Sequence, residues 1–72
     1  MSTDALTDAA RAKRALQFVR EFPDYFDDWL IRFADRNWPR LETYGEKTRL
    51  SPGQMRQIDR IEKIITEKEL DQ

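Results

Sequence analysis

The amino-acid sequence predicts an all-α protein, a small bundle of three main helices with a break near Trp38-Pro39. Apolar residues recur every three or four positions in three segments, which is the period of an amphipathic helix. No segment alternates apolar and polar residues as a half-buried strand does. Pro23, Pro39 and Pro52 each stand where a helix could begin or break. All 72 residues are therefore expected to form a single helical domain.

The first helix is predicted over residues 4–21. Thr3 or Asp4 can supply the N-cap side chain, and the alanine-rich segment that follows favours helix. Pro23 disfavours the α conformation at Phe22, so the helix should end or bend there. Its apolar face consists of Leu6, Ala9, Ala12, Leu16 and Val19.

The second helix is predicted over residues 23–36, because proline suits the first turn of a helix. Asp24, Asp27 and Asp28 place negative charge at the positive end of its dipole. Its apolar face carries large side chains and is the expected centre of the core: Phe26, Trp29, Leu30 and Phe33.

A break is predicted near Asn37. Pro39 makes Trp38 a poor α-helical residue, since proline restricts the residue before it and removes a backbone donor. A short helical turn should follow over residues 39–44 and end at Gly45.

The third helix is predicted over residues 52–68 and has the clearest start signal in the chain. Ser51 can cap it, and Gln54, three residues later, can complete a capping box. Leu50 and Met55 stand where a hydrophobic staple requires them. The apolar stripe then runs through Met55, Ile58, Ile61, Ile64 and Ile65.

The eight aromatic residues cannot easily all point inward in so small a bundle, and the alternative is that nearly all of them belong to the core. The apolar face of the second helix should pack on the first and third helices. Some rings should then stay outside, where exposed aromatic side chains beside arginine are typical of protein interfaces. The expected core partners are Leu16, Val19, Ile58, Ile61 and Ile65, and the rings expected outside are Tyr25, Trp38 and Tyr44.

The residue types present argue against catalysis. The chain has no cysteine and no histidine, which removes thiol chemistry, imidazole proton transfer and the usual zinc ligands. No cofactor is expected. The spacing of Asp24, Asp27 and Asp28 does not fit a calcium loop, so they are interpreted as helix-start residues rather than a metal site. We expect a protein that is not an enzyme.

Charge and hydropathy limit the possible partners. With 13 basic and 14 acidic side chains the net charge is −1, which indicates neither a DNA-coating protein nor a DNA mimic. No run of 18 apolar residues is present, and the first twenty residues lack the pattern of a secretory signal. No membrane association is expected, and a cytoplasmic location is the default prediction.

The stretch from Tyr44 to Gln54, with Leu50-Ser51-Pro52 at its centre and Ile61-Glu62 beyond it, resembles a short helical module of small phage and mobile-element proteins. That module has an aromatic residue, a glycine and polar residues, then Leu-Ser-Pro-x-Gln and an apolar helix. The resemblance implies a phage accessory protein in the host cytoplasm. It assigns no catalytic or binding residue.

The leading hypothesis is a protein-interaction domain that binds and modulates a host or phage enzyme. Its partner-binding residues are predicted to be Tyr25, Arg36, Trp38, Arg40 and Tyr44.

Two alternatives remain. One is a nucleic-acid-binding regulator that uses the basic side of the third helix, where intervals of three or four residues align the side chains. The other is a homodimer formed by the apolar stripe of that helix. The candidate nucleic-acid-binding residues are Lys47, Arg49, Arg56, Arg60 and Lys63.

Overall fold

The computed structural model describes residues 7–72 and consists of three α-helices joined by two 3₁₀ turns. The helices are α1 (Asp8–Glu21), α2 (Asp28–Tyr44) and α3 (Pro52–Glu67). The turns span Pro23–Tyr25 and Gly45–Lys47. Residues 7–72 contain no strand, and none of their helices has the length and apolar composition of a membrane span. The prediction of an all-α three-helix bundle is confirmed.

Helix α1 begins later than predicted and ends where predicted. Thr7 has an extended backbone, and its hydroxyl accepts a hydrogen bond from the Ala10 N–H at 3.1 Å, so Thr7 is the N-cap. The predicted caps Thr3 and Asp4, and the predicted core residue Leu6, lie outside the described residues. At the other end, the Phe22 N–H bonds to the Phe18 carbonyl as the chain leaves the helix.

Helix α2 does not begin at Pro23. Pro23 opens a 3₁₀ turn instead, and the backbone is extended at Phe26 and Asp27. The Asp27 carboxylate then accepts the Leu30 N–H at 2.8 Å, so the side chain that caps the helix lies four residues after the proline. The predicted start at residue 23 is wrong because this aspartate cap competes with the proline signal.

Helix α2 continues through Pro39, so the predicted break near Trp38 is wrong, and the predicted turn over 39–44 is the end of α2. Proline removes one backbone hydrogen bond, to the carbonyl four residues earlier. Here that residue is Asp35, which is exposed, as is Pro39 itself. Water can therefore reach the carbonyl that the proline leaves free. Asn37 and Leu41 on the opposite side are buried and hold the helix against the core.

Helix α3 is confirmed nearly to the residue. The Ser51 hydroxyl accepts the Gln54 N–H at 3.1 Å, and the Gln54 side chain accepts the Ser51 N–H at 2.8 Å, which completes the capping box. Leu50 and Met55 are half-buried against the core, where a staple places them. The helix ends at Glu67.

Helix α1 lies at the centre of the bundle. It packs along both α2 and α3, whereas α2 and α3 have few contacts with each other. Small side chains on α1 let the neighbouring backbones approach closely. Of the predicted core face of α2, Phe26 and Leu30 are buried and Phe33 is half-buried, but Trp29 is 55% exposed. The buried apolar residues are Ala9, Ala12, Ala15, Leu16, Val19, Phe26, Leu30, Ala34, Leu41, Ile58, Ile61 and Ile65.

Candidate functional site

The three helices meet in three pairs, and two of these contacts are closed by specific side chains. Between α1 and α2, the Arg20 guanidinium lies over the Trp38 ring, 4.7 Å from its centroid. Between α1 and α3, Arg11 forms salt bridges with Asp59 at 2.8 Å and Glu62 at 2.6 Å. The contact between α2 and α3 stays open.

The open contact forms a groove of about 460 Å³, here called the α2–α3 groove. It lies between one side of α2 and the first two turns of α3. Its lining is Trp29, Phe33, Arg36, Asn37, Arg40, Ser51, Gly53, Gln54 and Gln57.

The α2 wall of the groove combines aromatic rings with arginine. The rings of Trp29 and Phe33 are stacked, with centroids 5.6 Å apart and planes inclined by 13°. Arg36 and Arg40 follow on the same side of the helix, because residues three and four apart share a face. A second cavity of about 170 Å³ extends this surface to Arg32.

The floor of the groove is held by a chain of side-chain amides. Asn37 is buried, and its amide nitrogen donates to the Phe33 carbonyl at 2.8 Å. Its amide oxygen accepts from the Gln54 Nε2 at 3.3 Å, and Gln54 in turn forms the capping box with Ser51. A buried amide needs such partners. These bonds fix the middle of α2 against the start of α3 at the base of the groove.

The α3 wall is low and polar. Gly53 contributes no side chain, which leaves this part of the groove wide. Gln57 follows one turn later, and its side-chain oxygen accepts from Arg60 at 3.1 Å. Among the described residues that line the groove, none is a carboxylate. The groove can therefore bind through ring contacts, apolar contacts and hydrogen bonds from guanidinium and amide groups.

The structure brings two of the five predicted partner-binding residues, Arg36 and Arg40, into the groove. Tyr25 and Tyr44 are exposed as predicted, at 49% and 60%. They lie at opposite ends of α2, a 17-residue helix about 25 Å long. Tyr25 therefore lies apart from Arg36 and Arg40, whereas Tyr44 follows Arg40 by four residues on the same side of α2 without lining the groove.

Trp38 was predicted outside the bundle, and this is wrong. It is half-buried against the core beneath Arg20. The reason is the continuity of α2: without a break at Pro39, the helical rotation turns Trp38 toward α1.

The predicted nucleic-acid-binding residues occupy a different surface. Arg56, Arg60 and Lys63 are exposed along the outer side of α3, and Lys47 and Arg49 are exposed in the segment before it. The acidic residues Asp59 and Glu62 of the same helix turn toward Arg11 instead.

The apolar stripe of α3 is used within this chain. Ile58, Ile61 and Ile65 are at most 1% exposed because they pack into the bundle core. These three side chains have almost no surface left to offer a second copy, whereas Met55 and Ile64 of the same stripe are half-buried, so a homodimer through this stripe stays a prediction.

The electrostatic features away from the groove are structural. Hydrogen bonds from Arg11 to Glu62 and to Asp59 raise the pKa of the Arg11 guanidinium above its ordinary value. Asp27 is used as the α2 cap. Within residues 7–72, no three carboxylates converge as metal ligands would.

Apart from Arg36 and Arg40, the residues that line the groove were not predicted as site residues: Trp29, Phe33, Asn37, Ser51, Gly53, Gln54 and Gln57. Trp29 and Phe33 share the four-residue spacing of a core face, and the core was the simpler explanation. The available signal was that Trp29, Phe33, Arg36 and Arg40 form one stripe beside the line of Leu30, Ala34, Asn37 and Leu41 that is actually buried.

Comparison of the chain with protein-family models, with curated proteins and with solved structures finds no match.

Proposed function

We propose that this chain is a non-enzymatic protein-interaction domain that holds a segment of a partner protein in the α2–α3 groove. One observation carries the proposal. Trp29, whose ring is stacked on Phe33, is 55% exposed beside arginines in the one helix contact of the described bundle that stays open. Tryptophan and arginine are the residue types that most often dominate the binding energy of protein interfaces.

The exposed Trp29 ring is large enough to contribute substantially to the binding free energy. A tryptophan side chain buries about 150–250 Å² in a full contact, so covering the exposed half would remove roughly 100 Å² from water. At about 25 cal/mol per Å², this contributes about 2–3 kcal/mol to binding. That is the size of an interface hot spot.

The identity of the partner follows, within this proposal, from the resemblance of residues 44–62 to modules of small phage proteins. The partner would be a host or phage enzyme whose activity the domain modulates, in the cytoplasm of the host. The groove supports the binding part of this proposal, because its lining suits recognition of a peptide surface.

Site-directed photo-crosslinking in the cells that produce the chain tests the proposal. A photoreactive p-benzoylphenylalanine in place of Trp29 should crosslink one specific protein, identified by mass spectrometry. The control places the same group at Gln17, which is exposed on α1 and does not line the groove. Trp29→Ala should abolish co-purification of the crosslinked protein. Equal crosslinking from both positions would contradict the proposal.

The runner-up function is a nucleic-acid-binding regulator that uses the outer side of α3. One observation favours it: Arg56, Arg60 and Lys63 are exposed together while the acidic residues between them are paired with Arg11. This surface predicts DNA or RNA binding that weakens steeply with salt as counterions are released. A gel-shift assay at low salt that shows no complex would eliminate it.

A further inference from the structure

The charged side chains that line the α2–α3 groove are all arginine. Arg36 and Arg40 lie on the groove itself, and Arg32 extends the same stripe of α2. The three are exposed. The ion pairs within residues 7–72 are formed by Arg11 and Arg14 and leave these three arginines without a carboxylate. The groove is thus locally cationic.

This cationic groove belongs to a chain whose net charge is −1. None of the acidic side chains of residues 7–72 lines the groove; Asp59 and Glu62 are held by Arg11, and Asp27 caps α2. The positive charge of the groove is therefore a local arrangement and not a consequence of overall composition. Arginine pairs with carboxylates through two parallel hydrogen bonds, which makes an acidic side chain its natural complement in a protein partner.

The spacing of Arg36 and Arg40 sets the spacing expected for the carboxylates that would bind them. Arg36 and Arg40 are four residues apart on α2, which places them about 6 Å apart along the helix axis. Carboxylates four residues apart on a helix, or two apart on an extended segment, have nearly the same separation. The stacked rings of Trp29 and Phe33 lie one to two turns away at the other end of the stripe. They offer a flat apolar surface to a neighbouring side chain.

We infer that the occupant of the α2–α3 groove is an acidic peptide segment, with two carboxylates about 6 Å apart that bind Arg36 and Arg40 and an apolar side chain that covers Trp29. This inference rests on the proposed function, which it makes specific by naming the chemistry of the partner.

The surroundings of Trp29 favour a peptide over a nucleic acid. Asp28 directly precedes Trp29, and Asp24 and Asp27 lie at the same end of α2. A nucleic-acid strand with a base on Trp29 would bring its phosphates near these carboxylates. An acidic peptide needs negative charge only at the arginine end of the stripe and an apolar group at the tryptophan end.

A random peptide library displayed on particles and selected on the immobilised full chain tests the inference. The enriched peptides should carry at least two Asp or Glu residues close to a Trp, Phe or Leu. The affinity of labelled enriched peptides is then measured by fluorescence anisotropy. Arg36→Glu with Arg40→Glu should weaken binding at least about tenfold, while copies of the peptides with Lys in place of their acidic residues should prefer this double variant.

The matched control is Arg56→Glu with Arg60→Glu. It makes the same charge change at the same four-residue spacing on an exposed helix face, and it should leave affinity within about twofold. Circular dichroism confirms that both double variants keep their helices. An equal loss of affinity in both would show a nonspecific charge effect and overturn the inference.

The remaining outcomes separate this inference from the proposed function. Enriched peptides without acidic residues that still lose binding with Trp29→Ala would overturn the acidic partner and leave the groove as a protein-binding site. If no enriched peptide depends on Trp29, both proposals fail. Tighter binding of a labelled single-stranded oligonucleotide, lost with the Arg36 and Arg40 substitutions, would replace the peptide by a nucleic acid.

Discussion

Trp29 and Leu30 are neighbours in the chain with opposite environments. The Trp29 side chain is 55% exposed, whereas Leu30 is 1% exposed in the core. Leu30→Ala should therefore lower the free energy of unfolding by about 2–5 kcal/mol through lost burial and the cavity left behind. Trp29→Ala should cost only about 1 kcal/mol, mainly its stacking on Phe33. Urea unfolding followed by circular dichroism measures both.

These two variants distinguish an exposed Trp29, as in the structure, from the buried Trp29 that the sequence predicted. If Trp29 belonged to the core face with Phe26 and Leu30, its replacement would cost at least as much as that of Leu30. A Trp29→Ala variant that unfolds as readily as Leu30→Ala would therefore place the ring inside and remove the exposed wall of the groove.

Individual side chains were predictable only where local rules decide their role. The burial of Leu30 follows from helical spacing alone. Phe26 is buried and Tyr25 is exposed as predicted, although both lie before α2 begins. Asn37 was not predictable, since a polar residue is buried only when partners satisfy it. Its partners are the Phe33 carbonyl and the Gln54 side chain, and the second of these comes from another helix. A sequence does not show which distant amide will meet it.

The two glycines have opposite conformational requirements, which makes them a matched pair. Gly45 ends α2 with φ 53° and ψ −128°, a backbone conformation that L side chains rarely adopt. Gly45→Ala should therefore destabilise the bundle by about 1–3 kcal/mol through strain, although an added Cβ meets no atom within 4 Å.

Gly53 provides the control because it lies in the first turn of α3 without a positive φ. A Cβ there would meet only the Ser51 Oγ, at an ordinary 3.9 Å. Gly53→Ala should therefore raise stability by about 0.5–1 kcal/mol, because alanine is less flexible in the unfolded chain. Thermal unfolding of the two variants should shift in opposite directions. A shift of both in the same direction would contradict the positive φ of Gly45 at the end of α2.

Some helix boundaries set by local hydrogen bonds were predictable, but the equally local caps at Thr7 and Asp27 were not predicted. Boundaries that depend on packing could not be predicted. The capping box at Ser51 and the end of α1 before Pro23 involve residues within a few positions of each other. The continuity of α2 through Pro39 is different, since proline in a helix interior costs about 3 kcal/mol. The burial of Ala34, Asn37 and Leu41 against the rest of the bundle offsets that cost.

The three-helix bundle could be predicted from the sequence, but the α2–α3 groove could not, because the groove depends on how closely the helices pack. The count and order of the helices follow from their apolar stripes. Which pair stays apart depends on how closely α1 approaches each neighbour, and this is decided by Ala12, Ala15 and Ala34 at the centre. Because these alanines are small, α1 can pack closely on both α2 and α3. Helices α2 and α3 then have little contact with each other, and their facing side chains stay accessible.

The salt bridge between Arg11 of α1 and Glu62 of α3 has a coupling free energy that can be measured. A double-mutant cycle with Arg11→Met and Glu62→Gln should give a coupling of about 0.2–1 kcal/mol, since both side chains are partly exposed, at 33% and 28%. The coupling should decrease in high salt. The pair Arg14 and Asp71, at 3.7 Å and more exposed, should couple less.

The coupling between Arg11 and Glu62 should not change between pH 7 and pH 9. A group whose pKa is raised by folding contributes stability that is fully present below its unfolded pKa and is lost only as pH rises through the folded value. Arginine stays protonated well above pH 9 even when unpaired, and its bonds to Glu62 and Asp59 raise the pKa of Arg11 further. The coupling should therefore be the same at pH 7 and pH 9, measured by urea unfolding at both. A coupling that disappeared at pH 9 would show that some group other than this guanidinium holds α1 against α3.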